Sequence, residues 1–310
     1  MKWEKLGLIF NANSHANGSW FVNSALTPQP YQLNDETIRV YAGFRDTAGI
    51  SRIGFVDIDA RNPSKILRVS DKPVLDIGRD GCFDDNGVIL GDVVGTSDGI
   101  YLFYVGFQLV KKAKFLAFSG VAVSHDNGET FNRLSEAPIL GRAAGQTTIG
   151  AIHTARYEDG LWRLWFARGN GWEVINGTAY PQYHICYTET KNLLEIPRQA
   201  ETCVEAIWPE YRIGRPKVYK LKDGSYVMYA TKGSLSGEYT PSYFQSNDGI
   251  QWNRNDSLLG ICCGSEGWDS ETLCYPALIA NGNQTLMIYN GNRMGVDGFG
   301  AAISQDIALA

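Results

Sequence analysis

The strongest constraint on the fold is a motif that recurs five times along the chain. Each copy is a short apolar stretch with an aromatic residue near its end, often followed by glycine. The aromatic residues are Tyr41, Tyr104, Phe166, Tyr229 and Tyr289, and they are spaced 63, 62, 63 and 60 residues apart. Five units of about 62 residues account for the whole chain of 310 residues. We therefore predict a repeat protein of five similar units.

Turn sequences divide each unit into short segments, as expected for antiparallel strands joined by hairpins. A tight-turn sequence precedes the aromatic stretch in four units: Asp98-Gly99, Asp159-Gly160, Asp223-Gly224 and Asn281-Gly282. Such pairs favour two-residue hairpins, because these turns require positive φ. No amphipathic helix of useful length is found, so a doubly wound α/β fold is excluded. The pattern predicts an all-β, five-bladed β-propeller with four antiparallel strands per blade, forming one domain over residues 1–310. Two β-sandwiches are the alternative, but they do not explain the even spacing.

A second type of turn recurs after the third strand of a unit. The segment from Ser124 to Phe131 fits the pattern S-x-D-x-G-x-T-aromatic, the Asp box of sialidase-like propellers, and the segment from Ser246 to Trp252 is similar. In this turn the aspartate side chain caps nearby backbone amides. We interpret it as a structural device with no catalytic role.

Composition narrows the possible partners and location. The net charge of −5 and the pI of about 5.5 argue against a nucleic-acid partner. No stretch approaches the roughly 20 apolar residues of a membrane helix, and the apolar patch Leu6–Phe10 is too short for a signal peptide. We therefore expect a cytoplasmic protein whose six cysteines are thiols, since no C-x-x-C motif occurs. The basic run Lys111–Lys114 is expected to be a solvated loop.

Polar residues occur where the first, innermost strand of each blade begins. In a propeller these strands line the central channel, and ligands bind in a funnel at one end of it. Five such exceptions at equivalent positions are better explained by one shared polar site than by five accidents. The five segments are 23–28, 81–88, 147–153, 213–218 and 267–276.

Four of these motifs carry a resemblance to a known family. They read GCFDDNGV (81–88), IGRPKV (213–218), GWDSETLCYP (267–276) and YNGNRMGVDGFG (289–300). The chain resembles the five-bladed propeller proteins that are called glycosyl-hydrolase-like and often occur in bacterial surface-polysaccharide gene clusters. The wider clan is similar to the family 43, 32 and 130 glycosidases and phosphorylases. The resemblance implies a five-bladed fold with a sugar-binding funnel. Some family 43 relatives hold Ca²⁺ in the channel, but no ligand spacing here demands a metal, so we predict no cofactor.

Cleavage of a glycosidic bond needs two carboxylates facing each other across the sugar. The pair chosen from the sequence is Asp84 or Asp85 on one side and Asp269 or Glu271 on the other. The alternative is that the aspartates cap turns, because Asp-Asn-Gly and Trp-Asp-Ser are also good turn sequences. Which of Asp84 and Asp85 faces the channel is left open. Family 43 enzymes place a general acid in the third blade, where only Glu173 on a loop is available.

Several side chains are candidates for binding the substrate. Arg215 and Lys217 lie two residues apart on one strand face and would form a positive site for a phosphate, a nucleotide sugar or an acidic sugar. An ion pair between blades is the alternative reading of Arg215. The remaining candidates are His153 on the third inner strand, the Arg45-Asp46 pair that resembles one in several propeller glycosidases, and the aromatic platforms Trp172, Trp268 and Tyr275.

Two functional hypotheses follow. The first is a carbohydrate-active enzyme that acts on a glycosidic bond by hydrolysis, phosphorolysis or transfer from a phosphate-bearing sugar. The second is a non-catalytic propeller that binds a sugar or sugar nucleotide and leaves it unchanged.

Overall fold

A computed structural model describes residues 1–16, 20–237 and 239–310. Strands account for 56% of the chain and helix for 4%, which confirms the all-β prediction. No helix in the described part of the chain is long and apolar enough to cross a membrane.

The strands are short, as expected for hairpin-linked sheets. In chain order they are β1 (Glu4–Asn11), β2 (Asn23–Asn34), β3 (Thr37–Arg45), β4 (Ser51–Asp59), β5 (Ile66–Val69), β6 (Val88–Thr96), β7 (Gly99–Gln108), β8 (Leu116–Ser124), β9 (Asn132–Arg133), β10 (Ile149–Glu158), β11 (Leu161–Ile175), β12 (Thr178–Thr190), β13 (Glu201–Val204), β14 (Glu210–Lys220), β15 (Tyr226–Ser234), β16 (Tyr239–Ser246), β17 (Asn253–Arg254), β18 (Cys274–Asn281), β19 (Gln284–Asn290) and β20 (Gly298–Ser304). The helical segments are single turns: α1 (Ala12–His15), a 3₁₀ turn (Asp256–Leu258) and α2 (Asn292–Gly295).

The sheets are runs of antiparallel neighbours. Three are four-stranded, with the orders β2-β3-β4-β5, β14-β15-β16-β17 and β1-β20-β19-β18. An eight-stranded sheet joins the runs β6-β7-β8-β9 and β10-β11-β12-β13 through a short parallel pairing of β10 with β8. Each run contains one of the five segments singled out in the sequence, but in the second and fifth runs the polar residues lie mostly in the turn before β6 and before β18, and β1 supplies the outermost strand of the last run.

The hairpin turns have the chemistry that the sequence indicates. Strands β10 and β11 pair up to Glu158 and Leu161, so the turn contains only Asp159 and Gly160. Their φ angles are 53° and 75°, as a type I′ turn requires. In the Asp box, Asp126 accepts hydrogen bonds from the Glu129 and Thr130 amides at 3.1 and 3.0 Å. The predicted capping role is therefore observed.

The chain divides into two compact units. Unit 1 comprises Met1–Val74, Val218–Tyr229 and Thr240–Ala310. One of its cores packs Phe10, Phe44 and Phe299 between strands, and a second packs Trp3, Tyr229 and Tyr289; all six side chains are buried. The second core also contains residues of the loop that precedes β18, among them Ile261 and Leu273.

Unit 2 comprises Leu75–Lys217 and Ala230–Tyr239, so the division passes through β14 and β15. Its core packs Phe103 of β7 with Ile152 of β10, and Trp162 and Phe166 of β11, all buried. This packing places the first strands β6 and β10 side by side.

Candidate functional site

The polar groups of three first strands meet within unit 2. Arg215 of β14 donates from Nη1 to the Leu90 carbonyl of β6 at 3.2 Å. Lys217 donates from Nζ to the Gly91 carbonyl at 2.6 Å and lies 3.2 Å from Asp92 Oδ1. Arg215 and Lys217 therefore both reach the same segment of β6, as expected from their spacing.

Strand β10 joins the cluster on its other side. The Thr154 hydroxyl donates to the Pro216 carbonyl at 2.6 Å, and the second oxygen of Asp92 accepts from the Ala155 amide at 2.9 Å. The positive charges of Arg215 and Lys217 both act on His153. We call Asp92, His153, Arg215 and Lys217 the first-strand cluster.

Backbone irregularities explain why these side chains do not follow the alternating directions of an ordinary β-strand. A register shift leaves Gly91 between the paired residues Leu90 and Asp92, and another leaves His153 between Ile152 and Thr154. A Cβ at Gly91 would lie 2.3 Å from the Ile152 carbonyl oxygen, so only glycine permits this approach of β6 and β10. Bulges of this kind redirect side chains and occur next to functional sites.

The other three first strands carry a backbone irregularity of a different kind, a residue with positive φ, at related positions. Thr27, Arg215 and Tyr275 have φ of 52°, 55° and 56°, and each precedes a proline. Together with Gly91 and His153 they are spaced 64, 62, 62 and 60 residues apart, which matches the sequence repeat. Positive φ is unfavourable for such residues, and strained backbone of this type is concentrated at functional sites.

His153 is a buried, neutral imidazole. It is 4% exposed, and its Nδ1 has no hydrogen-bond partner among the residues that the structure describes. Burial, reinforced by the charges of Arg215 and Lys217, lowers the pKa of His153 well below its ordinary value of 6.5. Burial also lowers the pKa of Lys217, and the carboxylate of Asp92 opposes that shift. The cluster thus combines Arg215, a Lys217 that is paired with Asp92, and a neutral nitrogen, which suits a ligand with an anionic group and hydroxyls.

The depressed pKa of His153 predicts a pH dependence of stability. Below pH 6.5 the unfolded chain binds a proton at this residue that the folded chain does not bind. The free energy of unfolding should therefore fall as pH falls, by at most about 1.4 kcal/mol per pH unit from this group. Urea unfolding between pH 5 and 7.5 should give a shallower dependence for His153→Gln than for the unmodified protein. The variant His125→Gln, at an exposed position, is the control and should keep the pH dependence of the unmodified protein. If the free energy of unfolding of His153→Gln depended on pH as steeply as that of the unmodified protein, the prediction would be contradicted.

Asp84 has an evident structural role. It is fully buried in the turn before β6, and it forms an ion pair with Arg133 of the outermost strand β9 at 2.7 Å. Its neighbour Phe83 stacks on Tyr104 with ring centroids 5.9 Å apart. Burial, and next the charge of Asp84, raise the pKa of Tyr104. Asp85 is half-buried and accepts a hydrogen bond from the Gly81 amide at 3.0 Å, so it caps the turn.

Asp269 repeats this arrangement before β18. Its carboxylate pairs with Lys5 of the outermost strand β1 at 2.6 Å and accepts from the Tyr289 hydroxyl at 3.0 Å. Trp268 packs on the Tyr289 ring, as Phe83 packs on Tyr104. Two blades therefore use one structural device: an aromatic-aspartate pair that contacts a repeat tyrosine and an outer-strand cation. This device supplies a structural reason for Asp84, Asp269 and Trp268.

Glu271 differs from the other three acidic candidates. Its side chain is exposed, and its backbone amide donates to Asn292 Oδ1 at 2.8 Å. Asp84 and Asp85 belong to unit 2, whereas Asp269 and Glu271 belong to unit 1. Their pairing across a substrate stays a prediction.

The remaining candidates lie at several places. In unit 1, Asp46 caps a turn at the end of β3 and pairs with Arg52 at 2.7 Å. Burial acts to raise the pKa of Asp46, but hydrogen bonds from Arg52 and from backbone amides outweigh it and lower the pKa. Arg45, beside it, is half-buried, and its Nε has no hydrogen-bond partner among the described residues. Tyr275 occupies the strained position of β18 and is half-exposed.

In unit 2, Trp172 lies on the extended part of β11 and packs edge-on against Phe115 at 5.2 Å. Glu173 accepts a hydrogen bond from Gln182 at 2.9 Å and pairs across the hairpin with Tyr180.

The sequence reasoning missed two members of the site region, Asp92 and Thr154. The available signal for Asp92 was a single acidic residue inside the apolar run from Val88 to Val94, directly after a glycine. No group of three or more histidine, cysteine or acidic side chains in the described ranges could hold a metal ion.

Comparison with solved structures defines the class of fold. A glycoside hydrolase matches 99% of this chain and 93% of its own, with a TM-score of 0.75 and 15% identity. A thermostable family 43 glycoside hydrolase matches 94% and 95%, with a TM-score of 0.68 and 14% identity. A structure from the family 130 mannoside phosphorylases, a family described as containing glycoside hydrolases that target β-1,2-mannosidic linkages, matches 98% and 94% with a TM-score of 0.67 and 13% identity. The chain therefore has the β-propeller-like fold of these glycoside hydrolases, as the sequence resemblance implied.

Comparison by sequence gives less information about function than comparison by structure. No protein-family model matches the chain. It is similar to the uncharacterized protein Rv1502 of Mycobacterium tuberculosis, with 28% identity over 309 residues, which cover 99% of this chain and 100% of the relative.

Proposed function

We propose that this protein binds a carbohydrate with an anionic group at the first-strand cluster and acts on its glycosidic bond. The observation that carries the proposal is the buried Nδ1 of His153, which has no partner among the described residues and lies in the field of Arg215 and Lys217. A buried polar atom without a partner is costly unless a ligand or water satisfies it. A phosphate or carboxylate would pair with Arg215 while a sugar hydroxyl bonds to the imidazole.

The fold supports a carbohydrate ligand in particular. Proteins of the same fold include glycoside hydrolases and structures from a phosphorylase family. Because fold does not imply function, the reaction must be argued from the site. We propose a chain of five blades in one domain, located in the cytoplasm, that acts in surface-polysaccharide metabolism. A phosphate-bearing sugar donor fits that setting.

Glu271 is the acidic candidate best suited to chemistry. Asp84 and Asp269 are held in ion pairs, and Asp85 caps a turn. The carboxylate of Glu271 is exposed, so it is able to exchange a proton with a ligand. We propose Glu271 as the acid or base in glycosidic cleavage or transfer.

Replacing Glu271 by glutamine should lower turnover at least 100-fold, because an amide cannot exchange the proton. The free energy of unfolding should stay within about 0.5 kcal/mol, since the side chain is exposed. Product formation followed by mass spectrometry, with urea unfolding in parallel, measures both. Glu266→Gln, an exposed position of the same loop, is the matched control. Full turnover in Glu271→Gln would remove this residue from the mechanism.

A non-catalytic binding function is the second candidate. The observation that favours it is that Asp84 and Asp269 each form an ion pair. Neither carboxylate is therefore available as an acid or base for glycosidic cleavage. A thermal-shift screen with sugar phosphates, sugar nucleotides, free phosphate and neutral oligosaccharides identifies compounds that stabilise the protein. Mass spectrometry of each such compound after incubation then distinguishes the enzyme from the binding protein. A ligand that is consumed supports the enzyme, and one recovered intact supports the binding protein.

A further inference from the structure

Unit 2 contains a basic cavity that shares no residue with the first-strand cluster. It has a volume of about 590 Å³ and is lined by Lys111, Lys112 and Lys114, by Trp172, by Gly177 of the hairpin turn, and by the start of β12 at 178–179. The lysines come from the loop between β7 and β8, and the other residues come from the extended β11–β12 hairpin.

The charge of this cavity is uncompensated. The three lysines are exposed and form no ion pair with any residue that the structure describes, and no acidic residue lines the cavity. The protein as a whole carries a net charge of −5, so a local excess of positive charge is not a consequence of composition. Three clustered ammonium groups attract an anionic ligand.

The Trp172 ring at the cavity is packed against two neighbouring aromatic rings. The Trp172 ring packs edge-on against Phe115 at 5.2 Å, and Phe115 in turn packs edge-on against Phe107 at 5.2 Å. An indole fixed in this way provides a flat apolar surface at little entropic cost, on which a sugar ring can stack. A flat apolar surface bordered by three cations matches a sugar with an acidic substituent.

The cavity and the first-strand cluster are linked by strand β11. Phe166 of β11 pairs with Ile152, the neighbour of His153. Trp172 lies six residues further along β11, beyond the start of β10, which pairs with Gly169. At the rise of an extended strand this separation is roughly 20 Å. A single sugar cannot span it, but an oligosaccharide can.

We propose that the basic cavity is a distal subsite for an acidic unit of an oligosaccharide whose other end occupies the first-strand cluster. The inference rests on the function proposed above and assigns its substrate class: an acidic oligosaccharide of several units. Its acidic groups would pair with the lysines while one ring stacks on Trp172.

The test is a comparison of chain lengths by isothermal titration calorimetry. Oligogalacturonates of one to six units are the acidic probes, and neutral galacto-oligosaccharides of the same lengths are the controls. The affinity for the acidic series should rise with length, and the neutral series should show no such rise. In the triple variant K111Q/K112Q/K114Q, the affinity for the longest acidic probe should fall by roughly 10- to 100-fold, with the monomer unaffected. The variant K72Q/K191Q/K222Q removes the same charge at other exposed positions and should behave as the unmodified protein does.

The possible outcomes separate this inference from the function on which it rests. If the gain with length is absent, persists in K111Q/K112Q/K114Q, or appears equally for neutral sugars, the distal subsite is wrong, while monomer binding still supports the first-strand cluster. If the monomer does not bind while the binding of long acidic probes still depends on the three lysines, the proposed function at the first-strand cluster is wrong. The cavity is then an independent anion-binding site and not a distal subsite. If a nucleotide sugar binds at the lysines and no oligosaccharide does, the assigned substrate class is wrong.

Discussion

Replacing Arg215 by glutamine is expected to weaken the binding of an anionic sugar by roughly 30- to 4000-fold. The estimate follows from the cost of removing one partner of a desolvated charge pair, about 2–5 kcal/mol, with 1.4 kcal/mol for each factor of ten. Arg215 is half-buried, its backbone is strained at φ 55°, and its charge acts on His153. Glutamine cannot replace the bidentate guanidinium that pairs with a phosphate or carboxylate.

Two further variants make this prediction specific. Arg215→Lys keeps the charge but loses the planar fork, and its affinity should lie between those of the other two proteins. Arg198→Gln removes an exposed arginine of the same unit and should leave the affinity unchanged. Titration of phosphate and of an acidic sugar measures each dissociation constant, with the thermal midpoint recorded to verify folding. Equal affinities of Arg215→Gln and the unmodified protein would exclude Arg215 from the site.

Replacing Asp84 by asparagine is expected to lower the free energy of unfolding by about 3 kcal/mol. The change leaves the Arg133 guanidinium, whose side chain is only 20% exposed, without its charge partner. The position itself is fully buried, and a Cβ at Gly78 would lie 2.1 Å from Asp84 Oδ1, so little room exists for rearrangement. The loss would come from a structural ion pair and would be present without any ligand.

The neighbouring residue provides a closely matched control. Asp85→Asn is the same chemical change one position along, and asparagine can still accept the Gly81 amide hydrogen bond. Its free energy of unfolding should change by less than about 0.5 kcal/mol. Equilibrium urea unfolding compares the two variants. If Asp84→Asn were as stable as the unmodified protein but had lost turnover, Asp84 would be a catalytic residue and its structural assignment would be wrong.

The site was only partly predictable from the sequence, and Asp84 and His153 show the two cases. His153 was placed at the first-strand site because its position follows from the repeat and from strand order, which local patterns record. Whether Asp84 or Asp85 faces the channel stays open from the sequence, because both precede the same strand. The partner of Asp84, Arg133, is 49 residues away, and no local pattern indicates that pairing. Asp92 was missed for a similar reason, since its partner Lys217 is 125 residues away.

By itself the sequence determined the period, the hairpins, the all-β class and the polar starts of the first strands. These properties depend on turn residues and on alternation within a few residues, so they can be read locally. Only the tertiary structure decided which acidic side chains are held in ion pairs, and that Arg215, Lys217 and Asp92 meet beside a buried His153. Such contacts depend on bulges and on the packing of strands far apart in the chain, and small backbone shifts there redirect whole side chains.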